Sequence, residues 1–328
     1  MKNEATLQRY QQAIATQTAD RTVLMTIAGA EVLDAGINAP GSLRAGILLS
    51  ELCLADAARV EVLPADADKF VVDQCVAVQT DQPLVACLGS QYAGWPVQTD
   101  DFFAMGSGPM RMNRGKEAVL KELKLTESGK HVVGVLESDK LPTESVIELI
   151  ANECGVAAKN IHLAIAPSTS IAGSIQVVAR SIETAMHKLH ELKFDVASIV
   201  SGYGAAPLCP PAKSGDTVAG IGRTNDAILY GATVSLWVDC DDDAIEAVAD
   251  AVPSRSSSDH GQPFAKIFKQ YDYDFYKVDS MLFSPAVVTF HNLRTGRTWR
   301  RGEIETSVLR ESFPVSYTHL TLPTIYSV

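Results

Sequence analysis

Residues 161–192 read IHLAIAPSTSIAGSIQVVARSIETAMHKLHEL, and this stretch decides the fold. Its first six residues form a short apolar run that is typical of a buried strand. After the loop PSTS, apolar residues recur every three or four positions, which predicts one continuous helix over 171–192 with a single buried stripe. That stripe comprises Ile171, Ile175, Val178, Ile182, Ala185, Leu189 and Leu192.

The opposite side of this predicted helix is polar. Gln176, Arg180, Glu183 and His187 fall there at about 100° per residue. Arg180 and Glu183 are three positions apart, so their side chains are close enough to touch. One interpretation is a solvated ion pair of little energetic value. The other requires a second lobe that covers this face, so that the carboxylate can move a proton while the guanidinium holds it ionised. Spacing alone leaves both open.

Outward from this segment, helical and strand patterns alternate as far as residue 313. The mixture predicts an α/β protein with α+β character, organised as two α/β lobes over 1–130 and 131–313. Further helices are predicted at 4–17, 45–54, 116–123, 143–153, near 227 and at 242–251. Further strands are predicted at 23–28, 70–78, 84–88, 131–136, 196–200 and 233–238, with a terminal hairpin over 287–301.

The last fifteen residues, 314–328, contain no charged side chain and continue no amphipathic pattern. We interpret them as a non-native tail, resembling a translated sequencing adaptor, and exclude them from the fold. The alternative is a C-terminal interaction strand.

Composition limits the class of protein. Hydrophobic residues make up 46% and charged residues 20%, which is ordinary for a folded globule and excludes global disorder. The formal net charge of −11 repels polyphosphate at long range, so a nucleic-acid partner is not expected. A local basic pocket for a small anion remains compatible with this charge.

The chain shows no signal peptide and no membrane-spanning run, which predicts a cytoplasmic protein. Its six cysteines have no CxxC spacing, so we expect free thiols without a zinc site.

Three glycine-rich stretches are candidate binding loops, and each is equally explained as a turn. The first is MGSGP at 105–109, with Gly106, Ser107 and Gly108, followed by Arg111. It lacks the lysine of a P-loop and the third glycine of a dinucleotide fingerprint. The others are SGYGAAP at 201–207, which contains Tyr203, and GIGRTND at 220–226, which contains Arg223, Asn225 and Asp226.

Two further patterns are ambiguous. His187 and His190 have helical spacing but no supporting third ligand, so no metal site is expected. The run YDYDFYK at 271–277 includes Tyr276 and suits an aromatic wall, an oligomer contact or core packing.

Taken together, several segments resemble the methenyl-tetrahydromethanopterin cyclohydrolases of methanogenic archaea and methylotrophic bacteria. The matching segments occur in the order expected for that family and span most of 1–313. They are FFAMGSGP at 102–109, VARSIET at 178–184, SGYGAAP at 201–207, GRTNDAILYG at 222–231 and YDYDFYKVDSMLFSP at 271–285.

The resemblance implies reversible hydrolysis of 5,10-methenyl-tetrahydromethanopterin to the N5-formyl compound, without a metal or redox cofactor. It also implies a deep pocket between two α/β lobes, a homotrimer and a small-molecule partner. The family's catalytic Arg and Glu carry over to Arg180 and Glu183, which favours the covered pair over the solvated one.

Substrate-contacting residues are also expected from the resemblance. They are Gly106, Ser107, Gly108, Arg111, Tyr203, Arg223, Asn225, Asp226 and Tyr276. Competing hypotheses are a non-catalytic pterin-binding or scaffold protein, and the same reaction on a tetrahydrofolate carrier.

Overall fold

The computed structural model describes residues 1–315, with the exception of the side chain of Tyr276. All but the first two residues of the predicted non-native tail therefore lie outside the described residues.

Twelve strands are present in the described part of the chain. They are β1 (Val23–Ile27), β2 (Ala30–Asp34), β3 (Arg59–Pro64), β4 (Gln74–Thr80), β5 (Trp95–Gln98), β6 (Phe103–Ser107), β7 (Val132–Glu137), β8 (Ile161–Ala166), β9 (Ile199–Pro207), β10 (Thr233–Val238), β11 (Val287–Asn292) and β12 (Thr298–Gly302).

The α-helices of residues 1–315 surround and separate these strands. They are α1 (Lys2–Asp20), α2 (Leu43–Cys53), α3 (Ala67–Phe70), α4 (Met110–Arg114), α5 (Ala118–Glu122), α6 (Glu144–Cys154), α7 (Ile171–Val178), α8 (Ser181–Glu191), α9 (Thr217–Leu229), α10 (Asp242–Glu246), α11 (Phe264–Gln270) and α12 (Thr306–Ser312). A π-helical segment covers Leu84–Gln91. None of the helices in this part of the chain has the length and apolar character to cross a membrane.

The strands form two six-stranded mixed sheets. The first has the order β1-β2-β8-β7-β6-β5, and the second has the order β12-β11-β10-β9-β4-β3. Strand β8 runs parallel to β2 and β7, and β10 runs parallel to β11, while the other pairs are antiparallel. The predicted mixed α/β fold is confirmed.

The chain enters each sheet more than once. Strands β3 and β4 belong to the second sheet although they precede β5 and β6 of the first. Strands on both sides of residue 130 therefore share one sheet, so the division predicted there from the sequence is not a division between sheets.

The helix pair α7 and α8 connects the cores of the two sheets. Ala172 packs in a cluster with residues of α2 and the first sheet, whereas Ile175 and Ile182 belong to the large core over the second sheet. Helix α2 crosses α7 closely, since a Cβ on Gly46 would stand only 2.7 Å from the Cβ of Ile175. The predicted apolar stripe is buried except at its ends, because Ile171 is 37% exposed and Leu192 is only partly buried.

The predicted single helix over 171–192 is wrong at one point, because it breaks between α7 and α8. Arg180 has φ −88° and ψ 10°, and it caps α8 instead of continuing α7. At the break, Gln91 donates its side-chain Nε2–H to the freed carbonyl of Ala179 at 3.0 Å. A buried carbonyl released from the helix thus keeps a partner.

Other local predictions also differ from the structure. The predicted strand at 84–88 is the π-helical segment, a rare form that is frequent at functional sites. The predicted loop at 201–207 is the greater part of strand β9. The terminal hairpin is confirmed as β11 and β12.

Candidate active site

The guanidinium of Arg180 lies at the α7–α8 junction and is 7% exposed. Its Nη2 donates to Ser107 Oγ at 3.1 Å and to Gln176 Oε1 at 3.1 Å. Its Nη1 donates to the carbonyl oxygen of Gln91. Three neutral acceptors from three different elements therefore fix the orientation of this cation.

Glu183 lies in the first turn of α8 and is 5% exposed. Its carboxylate makes no hydrogen bond or ion pair with any residue of 1–315, so it is available to a ligand or a water molecule. Burial raises the pKa of Glu183 to about 7, and the nearby charges of Arg180 and Arg111 oppose that rise. The interpretation of Arg180 and Glu183 as a solvated ion pair is wrong, because both side chains are covered.

A second carboxylate, Glu137, ends strand β7 close to the same arginine. Gln176, which is 1% exposed, donates from Nε2 to Glu137 Oε2 at 3.4 Å. Burial raises the pKa of Glu137, and Arg180 opposes the rise. The carboxamide of Gln176 therefore bridges the guanidinium of Arg180 and the carboxyl group of Glu137, accepting from the first and donating to the second.

The predicted loop at 105–109 reaches this site through Ser107, at the end of β6. Ser107 Oγ is 3.1 Å from Arg180 Nη2 and 3.2 Å from the buried thiol of Cys53. Gly106 and Gly108 have a packing role in the structure: Gly108 has φ +96° and a Cβ there would meet the carbonyl of Val133 at 3.1 Å.

Arg111 is fully buried and already paired. Its guanidinium binds Glu117, with Nε 3.0 Å from Oε1, and donates to the carbonyl of Ser90 at 3.1 Å. The ring of Tyr92 lies over it at 5.1 Å. The structure therefore shows Arg111 holding the π-helical segment, and its predicted contact with the substrate stays a prediction.

Tyr92 lies between Arg111 and helix α8. Its ring stacks on His187 at a centroid distance of 4.5 Å. Burial and the Glu183 carboxylate raise the pKa of Tyr92 to about 12, so the phenol stays protonated near that carboxylate. Tyr92 and His187 also line a cavity of about 330 Å³, together with Glu117 and His190.

Tyr203 is on the other side of the second sheet from Arg180. In β9, Gly202 and Gly204 face α8, because a Cβ on either would press on Ile182 at 3.0 Å. Side chains alternate along a strand, so Tyr203 points to the opposite face. There it is 37% exposed and lines an open groove of about 840 Å³ with Trp237. The glycines of SGYG thus let α8 approach the sheet closely.

The α9 residues form internal contacts as well. Arg223 donates to the carbonyl of Pro211 at 2.8 Å, and Asn225 donates to the carbonyl of Ile221 at 2.8 Å. Asp226 is fully buried and accepts from the Phe264 N–H at 2.7 Å and the Ser312 hydroxyl at 2.6 Å.

None of these three contacts Arg180 or Glu183 through a described hydrogen bond or ion pair. Tyr276 lies in a short 3-10 helix at Phe275–Lys277, and its side chain is outside the described residues. The substrate contacts predicted for Tyr203, Arg223, Asn225, Asp226 and Tyr276 therefore stay predictions.

Four contributors to the site were not among the predicted site residues: Cys53, Gln91, Glu137 and Gln176. The sequence pattern could have identified Gln176 as a site residue, since it lies on the same predicted helix face as Arg180. A glutamate at the end of an apolar strand was a signal for Glu137. Gln91 and Cys53 had none, because their segments are distant from 180 in the chain. Within residues 1–315, no group of three or more His, Cys, Asp and Glu side chains is placed to hold a metal ion.

Comparison with known proteins identifies the family of this chain. The family model described as Cyclohydrolase (MCH) matches residues 3–313. A methenyltetrahydromethanopterin cyclohydrolase of Rhodopirellula baltica is 62% identical over 296 residues, covering 89% of each chain. Proteins with the same name from Methylobacillus flagellatus and Methanococcoides burtonii are 42% and 40% identical, over 88% of this chain and 87% and 89% of theirs. The resemblance drawn from the sequence is confirmed, and the chain belongs to the MCH cyclohydrolase family.

Proposed function

We propose that this protein catalyses the reversible hydrolysis of 5,10-methenyl-tetrahydromethanopterin to N5-formyl-tetrahydromethanopterin. The observation that carries the proposal is a buried, unpaired carboxylate, Glu183, beside the buried guanidinium of Arg180. Both belong to a chain whose relatives in bacteria and archaea bear the name of this activity.

The reaction requires a positioned water molecule and a proton acceptor. The methenyl carbon lies between two nitrogens of an amidinium-like cation, so it is already electrophilic. Water adds through its oxygen to that carbon, and Glu183 accepts one proton. Collapse of the neutral adduct breaks the bond to N10, forms the formyl C=O and leaves N10 protonated. The balance is one water consumed and one proton released for each cation hydrolysed.

Arg180 makes Glu183 a useful base near neutral pH. Burial alone favours the neutral carboxyl, and the guanidinium opposes that effect, which leaves the pKa at about 7. A general base whose pKa lies near the working pH contributes typically about 10²–10⁴-fold in rate. The fixed orientation of Arg180 also supports a role in binding the oxygen that becomes the formyl carbonyl.

The proposal includes a substrate pocket between the two sheets, with Ser107 on its wall because this hydroxyl contacts Arg180. It also includes a small-molecule substrate as the partner, no metal or redox cofactor, and a homotrimer. Light scattering at micromolar concentration should then give about three times the 35.2 kDa of one chain. A clean single-chain mass would contradict the trimer. The cytoplasmic location stays a prediction.

The function is tested by following the loss of ultraviolet absorbance as purified protein hydrolyses the methenyl substrate. Glu183→Gln keeps the shape and removes the base, so kcat should fall by about 10²-fold or more. Glu144→Gln is the matched control, because Glu144 lies in the first turn of α6 but is exposed.

No turnover by the wild type would contradict the function, and tight binding without formyl product would indicate the non-catalytic alternative. Equal kcat for wild type and Glu183→Gln would contradict the base. Competition between the methanopterin and folate carriers in one assay distinguishes the two substrates.

A further inference from the structure

The buried site contains an uneven set of charges. Arg111 is neutralised by Glu117 in a direct ion pair. Arg180 makes no ion pair among the described residues, and it has two carboxylates near it, Glu183 and Glu137. Counting those three groups, one cation is surrounded by two potential anions.

Gln176 links Glu137 to Arg180 through two hydrogen bonds. Its Oε1 accepts from Arg180 Nη2 at 3.1 Å and its Nε2 donates to Glu137 Oε2 at 3.4 Å. The bridge is buried, and Arg180 and Glu137 form no direct ion pair. Cys53 from α2 contacts the same groups, with its Sγ 3.6 Å from Gln176 Oε1. Burial raises the pKa of the Cys53 thiol, so this side chain adds no charge to the site.

This set of charges matches the reaction proposed above, on which the following inference rests. The substrate is a cation, and the product is a neutral formyl compound plus one proton. With the substrate bound, Arg180 and the substrate balance two ionised carboxylates. After hydrolysis the substrate charge is gone and one carboxylate holds the released proton, so the site is again neutral. A single carboxylate would leave the substrate complex with an uncompensated buried positive charge, which is costly.

We propose that Glu137 is the charge-compensating residue of the site: it neutralises Arg180 through the Gln176 bridge and leaves Glu183 to face the cationic substrate. Glu137 thus acts as a positioning residue, because it affects the substrate only through the net charge around Arg180. This charge favours binding of the cation over binding of the neutral product. No proton transfer to or from Glu137 is required.

The test is Glu137→Gln in the full-length protein, assayed in both directions of the reaction. The amide is isosteric and can still accept from Gln176. Loss of the charge should raise KM for the methenyl cation at least about ten-fold while the forward kcat changes little. KM for the neutral formyl compound should stay within about two-fold. Because the equilibrium constant is fixed, the reverse kcat must fall by the same factor as forward kcat/KM.

The pH profile gives a second readout that a purely structural defect would not move. Removal of the Glu137 charge leaves Arg180 uncompensated, so the acid limb of forward kcat/KM, which reports Glu183, should move to lower pH. Glu137→Asp retains the charge and should return KM for the cation towards the wild-type value.

Glu31→Gln is the matched control, because it removes a carboxylate of the same sheet that contacts His162. If Glu137→Gln does not fold, Gln176→Leu breaks the bridge with both charges present and should raise KM for the cation selectively. Equal changes in KM for cation and formyl compound, or no change in either, would overturn the inference. Absence of turnover by the wild type would instead contradict the proposed function.

Discussion

Asp226 provides a quantitative test of the difference between a buried structural acid and a binding residue. It joins three helices, since its carboxylate on α9 accepts from the first residue of α11 and the last residue of α12. Burial raises its pKa to about 7 from an ordinary value of 3.8, with Glu311 adding to the rise. The substitution Asp226→Asn keeps both contacts, because the amide oxygen accepts from Phe264 N–H and the amide nitrogen donates to Ser312 Oγ.

The sign of the effect follows from the raised pKa. Below about pH 4 both folded and unfolded forms carry the neutral acid, and its favourable contribution is fully present. As pH rises from 4 to 7, the unfolded chain ionises and the folded one does not, so the free energy of unfolding falls by about 1.4 kcal/mol per pH unit. The loss reaches about 4 kcal/mol above pH 7. The amide does not titrate, so it avoids that loss.

The assay is thermal unfolding of wild type and Asp226→Asn at pH 4 and pH 8, each at least one pH unit from the isoelectric point of about 5.1. At pH 4 the two proteins should unfold at nearly the same temperature. At pH 8 the variant should be more stable by up to about 4 kcal/mol, or roughly 8 °C at about 2 °C per kcal/mol. Its KM should stay within about two-fold of the wild-type value.

Asp216→Asn is the control, because Asp216 caps the same helix but is exposed. This control measures how much the same Asp→Asn change alters stability at each pH when the side chain is exposed. A difference between Asp226→Asn and the wild type that is the same at pH 4 and pH 8 would refute the reasoning. A large rise in KM would instead place Asp226 in the substrate site.

Four other predictions follow from the site and its packing. Ser107→Ala removes one hydrogen-bond acceptor from Arg180. The kcat should fall about five- to ten-fold, which corresponds to about 1–1.5 kcal/mol for a hydrogen bond. An unchanged kcat would mean that Arg180 does not need the Ser107 hydroxyl. Gly204→Ala forces a methyl group towards Ser181 and Ile182, so it should lower the free energy of unfolding by about 1–3 kcal/mol in chemical denaturation and reduce kcat. Tyr203→Ala should leave KM within about two-fold, because the ring points away from α8, and a higher KM would contradict that placement. The forward kcat/KM should decline as pH falls below about 7, because protonation of Glu183 removes the base. A flat profile between pH 5 and 8 would exclude a Glu183 with a pKa of about 7 as the base.

Local periodicity determined much of the architecture. The alternation of apolar runs and helical stripes indicated mixed α/β layers, and the stripe on residues 175–189 is buried as expected. Such patterns are readable because each helix or strand must bury one face. The order of strands was not readable, since each sheet combines segments that are distant along the chain.

The candidate site was predicted in part. Arg180, Glu183 and Ser107 were identified from spacing and from the family resemblance, and the structure brings them close together. The predicted continuity of the helix failed at 179–180, where no glycine or proline marks the break. The carbonyl that is freed there accepts a hydrogen bond from the carboxamide of Gln91, a side chain about ninety residues earlier in the chain.

By itself, the sequence determined which residues are chemically able to act and on which helix face they lie, because side-chain type and helical period are local properties. Only the tertiary structure decided that this face is covered, that Glu183 is left unpaired, and that Glu137 and Gln176 join Arg180. Exposure and electrostatic environment depend on which distant segments pack against a residue. Here the low dielectric that those segments create raises the pKa of Glu183 to about 7.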